Sequence, residues 1–319
     1  MTDGGTVGPI CQLAGRRVWV AGHSGMVGSA IVRRLAAVGC ETLTVGRDRL
    51  DLRRQTDVEA WMASNRPEVV FIAAATVGGI AANNSRPADF IYDNLMIETN
   101  VIHSARLNGV GRVVFLGSAC VYPTHAPQPI PEDALLSGPL EPTNQWYAVA
   151  KIAGLKMCEA YRRQYGCDFI GVQPTNLYGP GDNFDPETSH VIPGLLAKAH
   201  RAKASGENEL TVWGSGKPLR EFLYVDDLAD ALIFIAERYS GTEHINIGSG
   251  EELTIRRLAE KVARIVSFTG KLSFDPSRPD GTSRKLVDAT RLKRLGWSAK
   301  TRLDRGLALT YEWFLANAA

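Results

Sequence analysis

Two side chains that can exchange a proton lie four residues apart in one predicted helix. The stretch "WYAVAKIAG" has helical spacing, and residues four apart share a helix face, so Lys151 places its ammonium beside the phenol of Tyr147. A free phenol has a pKa of about 10, and lowering it to about 7 takes roughly 4 kcal/mol, part of which a neighbouring cation supplies. The pair predicts a phenol that gives or takes a proton near neutral pH. The alternative is a surface pair with no role.

A serine and a cysteine lie two residues apart where a buried strand is predicted to end, in "RVVFLGSACVYP". Because residues two apart in a strand share a face, Ser118 and Cys120 are predicted to face one ligand. His190 opens a helix after a loop rich in Gly and Pro. A thiol and an imidazole on opposite faces of a sugar can remove and return a carbon-bound proton beside a ketone, which inverts a stereocentre. The alternatives are that Cys120 is a small buried hydrophobe and that His190 caps or packs.

The glycine-rich stretch "GHSGMVG" lies between the first predicted strand and a long amphipathic helix. Gly22, Gly25 and Gly28 permit a tight turn and let backbone N–H groups approach a pyrophosphate at a helix N-terminus. After the second strand, Arg47 can pair with a 2′-phosphate, with Arg49 as a second candidate, so NADP is favoured over NAD. The alternatives are an ordinary glycine loop and a solvated Arg47.

Short apolar runs alternate with segments of helical period along the first half of the chain. The predicted strands are "RRVWVAG", "ETLTV", "EVVFIAA", "RVVFLGS" and "DFIGVQP". This alternation predicts an α/β fold with a doubly wound parallel sheet, covered by helices on both faces.

The residue composition of the chain changes near residue 175, where the segment "NLYGPGDNFDPETSH" is rich in Gly, Pro, Asn and Asp. We therefore predict a dinucleotide-binding domain at 14–176, to which the chain returns at about 221–250. A smaller C-terminal α/β domain for the substrate is predicted at 177–220 and 251–319.

Composition excludes several classes of protein. The chain has 319 residues, 45% of them hydrophobic and 22% charged, and a formal net charge of +2 without basic clusters, so neither a nucleic acid nor a membrane is an expected partner. Its five cysteines form no CxxC pair and no two histidines have metal-ligand spacing, so no metal is expected. The N-terminus does not read as a signal peptide, and a cytoplasmic location is expected.

The order of glycine loop, Ser118 and the Tyr147–Lys151 pair resembles that of the extended short-chain dehydrogenases. The segments "AGHSGMVGSAI", "GSACVYP", "EPTNQWYAVAKIAG", "QPTNLYGPGDNF", "SHVIPGLL" and "VWGSGKPLREFLYVDDLA" narrow the resemblance to the GDP-L-fucose synthase family. That resemblance implies an NADPH-dependent enzyme that epimerises GDP-4-keto-6-deoxymannose at carbons 3 and 5 and reduces carbon 4, giving GDP-L-fucose.

The resemblance also implies roles for individual residues. Ser118 orients the substrate oxygen, Tyr147 transfers the proton, Lys151 holds the nicotinamide ribose, and Cys120 and His190 are base and acid of the epimerisation. The implied NADP(H) contacts are Gly22, Ser24, Gly25, Met26, Val27, Gly28, Arg47, Leu116, Gly117, Lys151, Pro174, Asn176, Leu177 and His190. The implied substrate contacts are Lys198, Trp213 and Arg220, of which Lys198 and Trp213 have a solvated charge and a core residue as alternatives. Lys285 in "DGTSRK" is a further candidate, because its charge can neutralise a diphosphate. Ser24 replaces an arginine that is present in some members, so the NADP preference depends on Arg47.

The sequence leaves two other functions open. One is a related epimerase or reductase that acts on another nucleotide-linked 4-keto-6-deoxyhexose, and the other is a non-catalytic sensor of dinucleotides. The two long apolar helices predicted in "ADFIYDNLMIETNVIHSARLN" and "WYAVAKIAGLKMCEAYRRQYG" indicate a homodimer.

Overall fold

The computed structural model describes residues 10–185, 188–278 and 280–318. Its strands are β1 (Arg17–Ala21), β2 (Glu41–Leu43), β3 (Val69–Ile72), β4 (Arg112–Leu116), β5 (Asp168–Pro174), β6 (Asn176–Tyr178), β7 (Glu209–Trp213), β8 (Leu219–Tyr224), β9 (Ile245–Ile247), β10 (Glu252–Thr254), β11 (Lys271–Asp275) and β12 (Arg284–Lys285). Its α-helices are α1 (Met26–Leu35), α2 (Gln55–Asn65), α3 (Ile80–Ser85), α4 (Pro87–Leu107), α5 (Gln145–Tyr165), α6 (Val191–Ala204), α7 (Val225–Arg238), α8 (Ile255–Val266), α9 (Thr290–Arg294) and α10 (Leu303–Asn317).

A six-stranded parallel sheet is the largest sheet among the described residues, with strand order β2-β1-β3-β4-β5-β9. Each of the five apolar runs forms a strand of this sheet, so the predicted α/β fold with a doubly wound parallel sheet is confirmed. After β2 the chain crosses to the other side of β1 to form β3. The carboxyl ends of β1 and β3 therefore flank the point where the strand order reverses, which is where ligands bind in such sheets.

Both faces of this sheet are buried. Val18 and Val20 of β1 lie in the core beneath α1 and α7, whereas Trp19 and Ala21 lie in the core beneath α2, α4 and α5. This two-sided burial explains why the strands are continuous apolar runs rather than alternating polar and apolar residues.

The strand that ends before Ser118 is shorter than predicted. Strand β4 stops at Leu116, and residues Ala119–Val121 form a turn of 3-10 helix with Ser118 as its N-cap. The prediction that Ser118 and Cys120 share the face of a strand is therefore wrong. The Ser118 hydroxyl accepts a hydrogen bond from the Cys120 backbone N–H at 3.3 Å, which stabilises the turn instead.

The remaining strands form two smaller sheets. One has the order β10-β8-β12, with β6 also paired to β8, and the other pairs β11 with β7. A third apolar core lies between these sheets and α6, α8 and α10. Of the predicted return segment, α7 packs on α1 and β9 joins the large sheet, while β8 belongs to the smaller one. The domain boundaries themselves stay a prediction.

A membrane-spanning helix and a metal site are both absent among the described residues. None of their helices has the length and apolar character needed to cross a membrane. No group of three or more His, Cys, Asp or Glu side chains in the described part of the chain is arranged to hold a metal ion.

Candidate active site

The glycine loop between β1 and α1 is tightly packed at Gly22 and Gly28 but has room for a side chain at Gly25. Gly22 has a φ of +89°, and a Cβ atom at Gly22 would collide with the backbone of Ala74, which follows β3. A Cβ atom at Gly28 would collide with the carbonyl of Gly22. At Gly25, the N-cap of α1, the nearest atom to such a Cβ would be 3.7 Å away.

The start of α1 fits the pyrophosphate of a dinucleotide. Its N-cap has no capping side chain and its first turn has no acidic residue, so the helix N-terminus keeps its affinity for an anion. Gly25 and Ser24 are exposed there, and Met26 and Val27 form the first turn. The other predicted cofactor residues surround the same sheet edge, with Leu116 at the end of β4, Gly117 next to it, Pro174 at the end of β5, and Asn176 and Leu177 in β6.

We expect Gly28→Ala to destabilise the protein far more than Gly25→Ala. The added methyl group at position 28 has no room against the Gly22 carbonyl, so the variant loses about 1–3 kcal/mol of unfolding free energy. At position 25 the same methyl makes only an ordinary van der Waals contact with the Gly22 carbonyl oxygen, 3.7 Å away, and the loss stays below about 1 kcal/mol. Urea unfolding of the two variants measures both values. Equal losses would mean that the loop does not have this packing.

Arg47 is available to bind an anion. It is exposed, and among the described residues it makes no hydrogen bond or ion pair, whereas the nearby Arg53 is paired with Asp51 at 2.8 Å and with Asp93 at 3.0 Å. These two contacts engage the Arg53 guanidinium, and its hydrogen bonds with Asp51 lower the pKa of that carboxyl to about 2. Arg47 therefore stays the candidate partner of a 2′-phosphate, with Arg49 as the second candidate.

The turn after β4 faces the first turn of α5. Gly117 packs directly on the side-chain amide of Gln173, so no larger residue fits there without displacing that amide. Ser118 follows, and both Ser118 and Cys120 lie close enough to Tyr147 to influence the pKa of its phenol. The structure thus brings together Ser118, Cys120 and Tyr147 from different elements.

Burial dominates the acidity of Tyr147. It raises the pKa of the phenol above its ordinary value, the charges of Cys120 and Glu98 raise it further, and only the hydrogen bond with Ser118 lowers it. The Lys151 Nζ atom lies 5.9 Å from the centre of the Tyr147 ring, as the helical spacing predicted. The prediction that Lys151 makes the Tyr147 phenol more acidic is therefore wrong. The ammonium lies 3.6 Å from Glu98, which neutralises its charge.

Cys120 has a partner that the sequence did not reveal. The Asn144 side-chain N–H group donates to the Cys120 sulfur at 3.4 Å, and the thiol is half-buried rather than part of the core. Asn144 precedes α5 in the N-cap position but makes no capping hydrogen bond with its side chain. An asparagine three residues before Tyr147 was the only signal, and a helix cap is its ordinary meaning.

His190 lies on a separate element. It is the N-cap residue of α6, and among the described residues no hydrogen bond or ion pair joins it to Cys120 or Tyr147. The residue is exposed, but the protein packed around its ring still lowers the pKa of the imidazole, and the N-terminus of a helix also disfavours a cation. Both effects favour the neutral ring.

The residues predicted to hold the nucleotide form two neighbouring groups. The Lys198 Nζ atom lies 3.8 Å from the ring centre of Trp213, whose side chain is 43% exposed and so is not a core residue. Lys285 lies in register with Arg220 on the neighbouring strand. Asp280 joins the groups, because its carbonyl accepts from Arg220 at 3.2 Å and its carboxylate accepts from the turn after Trp213 at 2.7 Å.

Comparison with known proteins agrees with this geometry. Residues 18–248 match the model of the NAD dependent epimerase/dehydratase family. The chain belongs to this family. It is 56% identical to a GDP-L-fucose synthase of Sinorhizobium fredii over 98% of this chain and 99% of that one, and 59% identical to GDP-L-fucose synthase 1 of Arabidopsis thaliana over 94% of each.

A solved structure supports the same relationship. The GDP-L-fucose synthetase of Naegleria fowleri bound to NADP superposes on this chain with a TM-score of 0.90, at 30% identity, and the match covers 98% of each chain. The resemblance to the GDP-L-fucose synthase family is thus confirmed.

Proposed function

We propose that the protein is an NADPH-dependent 3,5-epimerase and 4-reductase that converts GDP-4-keto-6-deoxymannose to GDP-L-fucose. The observation that supports this most directly is that Ser118 and Cys120, on the turn after β4, face Tyr147 at the start of α5. A reductase needs only the serine and the tyrosine, whereas an epimerase also needs a group such as the thiol. The high identity to GDP-L-fucose synthases supports the choice of sugar and nucleotide.

The epimerisation depends on the ketone at carbon 4, which acidifies the protons on carbons 3 and 5. Ser118 and Tyr147 hydrogen-bond the ketone oxygen and stabilise the enolate that forms when one of these protons leaves. Cys120 and His190 act from opposite faces of the sugar, one as the base and the other as the acid at each carbon. Since the protein keeps the His190 imidazole neutral, His190 is suited to accept the first proton at one of the two carbons. Cys120 returns a proton from the far face.

The reduction uses the same contacts to the ketone oxygen. Bound NADPH supplies the hydride that adds to carbon 4. Tyr147 donates its phenolic proton to the oxygen, Ser118 keeps that oxygen in place, and Lys151 holds the ribose of the cofactor. Because Tyr147 is protonated over the whole neutral range, it is ready to donate in this direction.

The GDP end of the substrate binds in the C-terminal part of the chain. Arg220 and Lys285 lie side by side on β8 and β12 and can neutralise a diphosphate, while the exposed Trp213 can stack on the guanine. Lys198 adds a charge beside that ring. This arrangement supports the predicted division into a cofactor domain at 14–176 with its return at about 221–250, and a substrate domain at 177–220 and 251–319.

Exposed apolar side chains on α4 and α5 support a homodimer. Helices α4 and α5 pack against each other, and large apolar side chains on both remain open, namely Tyr92, Leu107, Trp146, Val149 and Tyr165. Two copies of such a pair bury these side chains across a two-fold axis. We expect light scattering at micromolar concentration to give twice the mass of one chain. The mass of a single chain would reject the dimer.

Arg47→Ala should weaken NADPH selectively. A charged hydrogen bond to phosphate contributes about 1.5–3 kcal/mol, so the KM for NADPH is expected to rise roughly tenfold to a hundredfold. NADH lacks the 2′-phosphate, and its KM should change less than about twofold under the same principle. Initial rates with both cofactors give the two ratios, and NADH serves as the internal control. Equal effects on both would show that Arg47 does not contact the phosphate.

The proposed function is tested by proton NMR of GDP-4-keto-6-deoxymannose with the protein in deuterium oxide. Deuterium should enter carbons 3 and 5 before NADPH is added, and the spectrum of GDP-L-fucose should appear afterwards. Reduction without exchange would leave a simple ketoreductase, and activity on another nucleotide-linked 4-keto-6-deoxyhexose would point to a related enzyme. Binding of NADPH without turnover of any keto sugar would favour a dinucleotide sensor.

A further inference from the structure

A buried carboxylate lies on the side of α4 that packs against α5. Glu98 is 1% exposed, although it occupies the middle of a helix whose neighbouring buried residues are mainly apolar or small. Among the described residues, neither of its oxygens has a hydrogen-bond partner at normal geometry. A carboxylate in such a place is strongly unfavourable unless an opposite charge compensates it.

That opposite charge is Lys151. The Lys151 side chain is also almost fully buried, and its Nζ atom lies 3.6 Å from Glu98 Oε2 and 4.8 Å from the ring centre of Phe115. Glu98 is the one carboxylate in ion-pair contact with this ammonium among the described residues. Without it, burial would favour the neutral amine, which could not hold a ribose firmly.

We propose that Glu98 is the counter-ion that keeps Lys151 charged and in place behind Tyr147, and that it is therefore a positioning residue for the reduction. This inference rests on the proposed function, because it assigns Glu98 to the 4-keto reduction. Glu98 touches neither substrate nor cofactor and acts through Lys151.

Few titratable groups face this pair. Tyr147 and Cys158 lie on α5, and the charge of Glu98 raises the pKa of both. On the sheet side, the uncharged ring of Phe115 lies beside Lys151 Nζ. Burial raises the pKa of the Cys158 thiol far above neutrality, so Cys158 stays neutral in the working range.

The charge on Glu98 has a definite effect on pH dependence. Reduction needs a proton on both Tyr147 and Lys151, and removing a nearby negative charge makes this couple lose its first proton at lower pH, whichever residue releases it. Burial raises the pKa of Glu98 above its ordinary value, against the opposing effect of Lys151. The charge on Glu98 is therefore most complete in alkaline solution, and the effect of removing it should appear there.

The kinetic test compares kcat for reduction between about pH 6 and 10 in the natural protein, Glu98→Gln and Glu98→Asp. In Glu98→Gln we expect the alkaline fall in kcat to move down by about one pH unit, with at least roughly a tenfold loss at pH 9 and little loss at pH 6. Glu98→Asp keeps the charge and should keep the natural alkaline limb. Glu159→Gln removes an exposed carboxylate from α5 and is the matched control. A Glu98→Gln profile that is lowered by the same factor at every pH overturns the proposal.

A second readout does not depend on turnover. Thermal unfolding of Glu98→Gln, Lys151→Met and the double variant measures whether the two residues depend on each other. If Glu98 is a counter-ion, Glu98→Gln lowers Tm by several degrees and adding Lys151→Met recovers most of that loss. If the Tm losses of the two single variants simply add in the double variant, the proposal is overturned. It is also overturned if the double variant fails to fold although Lys151→Met alone folds. If the natural protein reduces no keto sugar, the proposed function fails while this coupling still tests the ion pair.

Discussion

Tyr147→Phe is expected to remove most of the reductase activity while it preserves much of the isotope exchange. The substitution deletes only the phenolic oxygen, so the ring still packs beside Lys151 and the helix is undisturbed. Loss of the proton donor should lower kcat for reduction by about 100- to 10,000-fold. Exchange at carbons 3 and 5 should fall much less, because Ser118 still hydrogen-bonds the ketone oxygen and Cys120 and His190 are intact. NADPH oxidation and deuterium incorporation measure the two activities separately.

A second tyrosine on the same helix provides the control. The Tyr161 hydroxyl is hydrogen-bonded to His103 Nδ1 at 2.7 Å and lies almost four helical turns beyond Tyr147. Tyr161→Phe removes the same atom and should leave both activities near their natural values. Reduction at the natural rate in Tyr147→Phe would exclude it as the proton donor. An equal loss of exchange and reduction together with a lowered Tm would indicate a defect of folding.

The features that sequence could predict depend on local spacing. Buried strands are continuous apolar runs, and those around Val70, Val114 and Ile170 all lie in the large sheet. The four-residue spacing of Tyr147 and Lys151 fixed their common helix face before any tertiary contact was known. Glycines at 22 and 28 have no room for a side chain in the structure, which agrees with the loop predicted from their spacing.

The features that sequence could not predict depend on contacts between elements. Strand periodicity placed Ser118 and Cys120 on one strand face, but the chain turns there because the Ser118 hydroxyl caps the Cys120 backbone N–H. Proximity to Lys151 suggested an acidic phenol, yet burial raises the pKa of Tyr147 and Glu98 offsets the ammonium. Glu98 is more than fifty positions away in the sequence, so only the packing of α4 on α5 reveals the pair.

Cys120→Ser is expected to abolish proton exchange at carbon 3, carbon 5 or both, with at least about a 100-fold loss, the size usual for an acid–base group. A thiol gives up and takes back a proton far more readily than a serine hydroxyl does, so serine cannot replace it as an acid or base. The Asn144 amide donates to the Cys120 sulfur at 3.4 Å. Serine is slightly smaller and can keep that hydrogen bond, so the turn should not unfold.

The reductase activity of Cys120→Ser separates the epimerisation from the reduction at this site. Tyr147, Ser118 and Lys151 remain, so Cys120→Ser should still reduce the ketone, and its product should keep the natural substrate configuration at each carbon that no longer exchanges. Cys40→Ser is the matched control, because Cys40 is half-buried beside β2 with Thr42 as its neighbour at 3.7 Å. Exchange at both carbons at the natural rate in Cys120→Ser would remove the thiol from the chemistry. The neutral imidazole of His190 would then have to take up and return both protons from one face of the sugar, which cannot invert either centre without a second group on the other face.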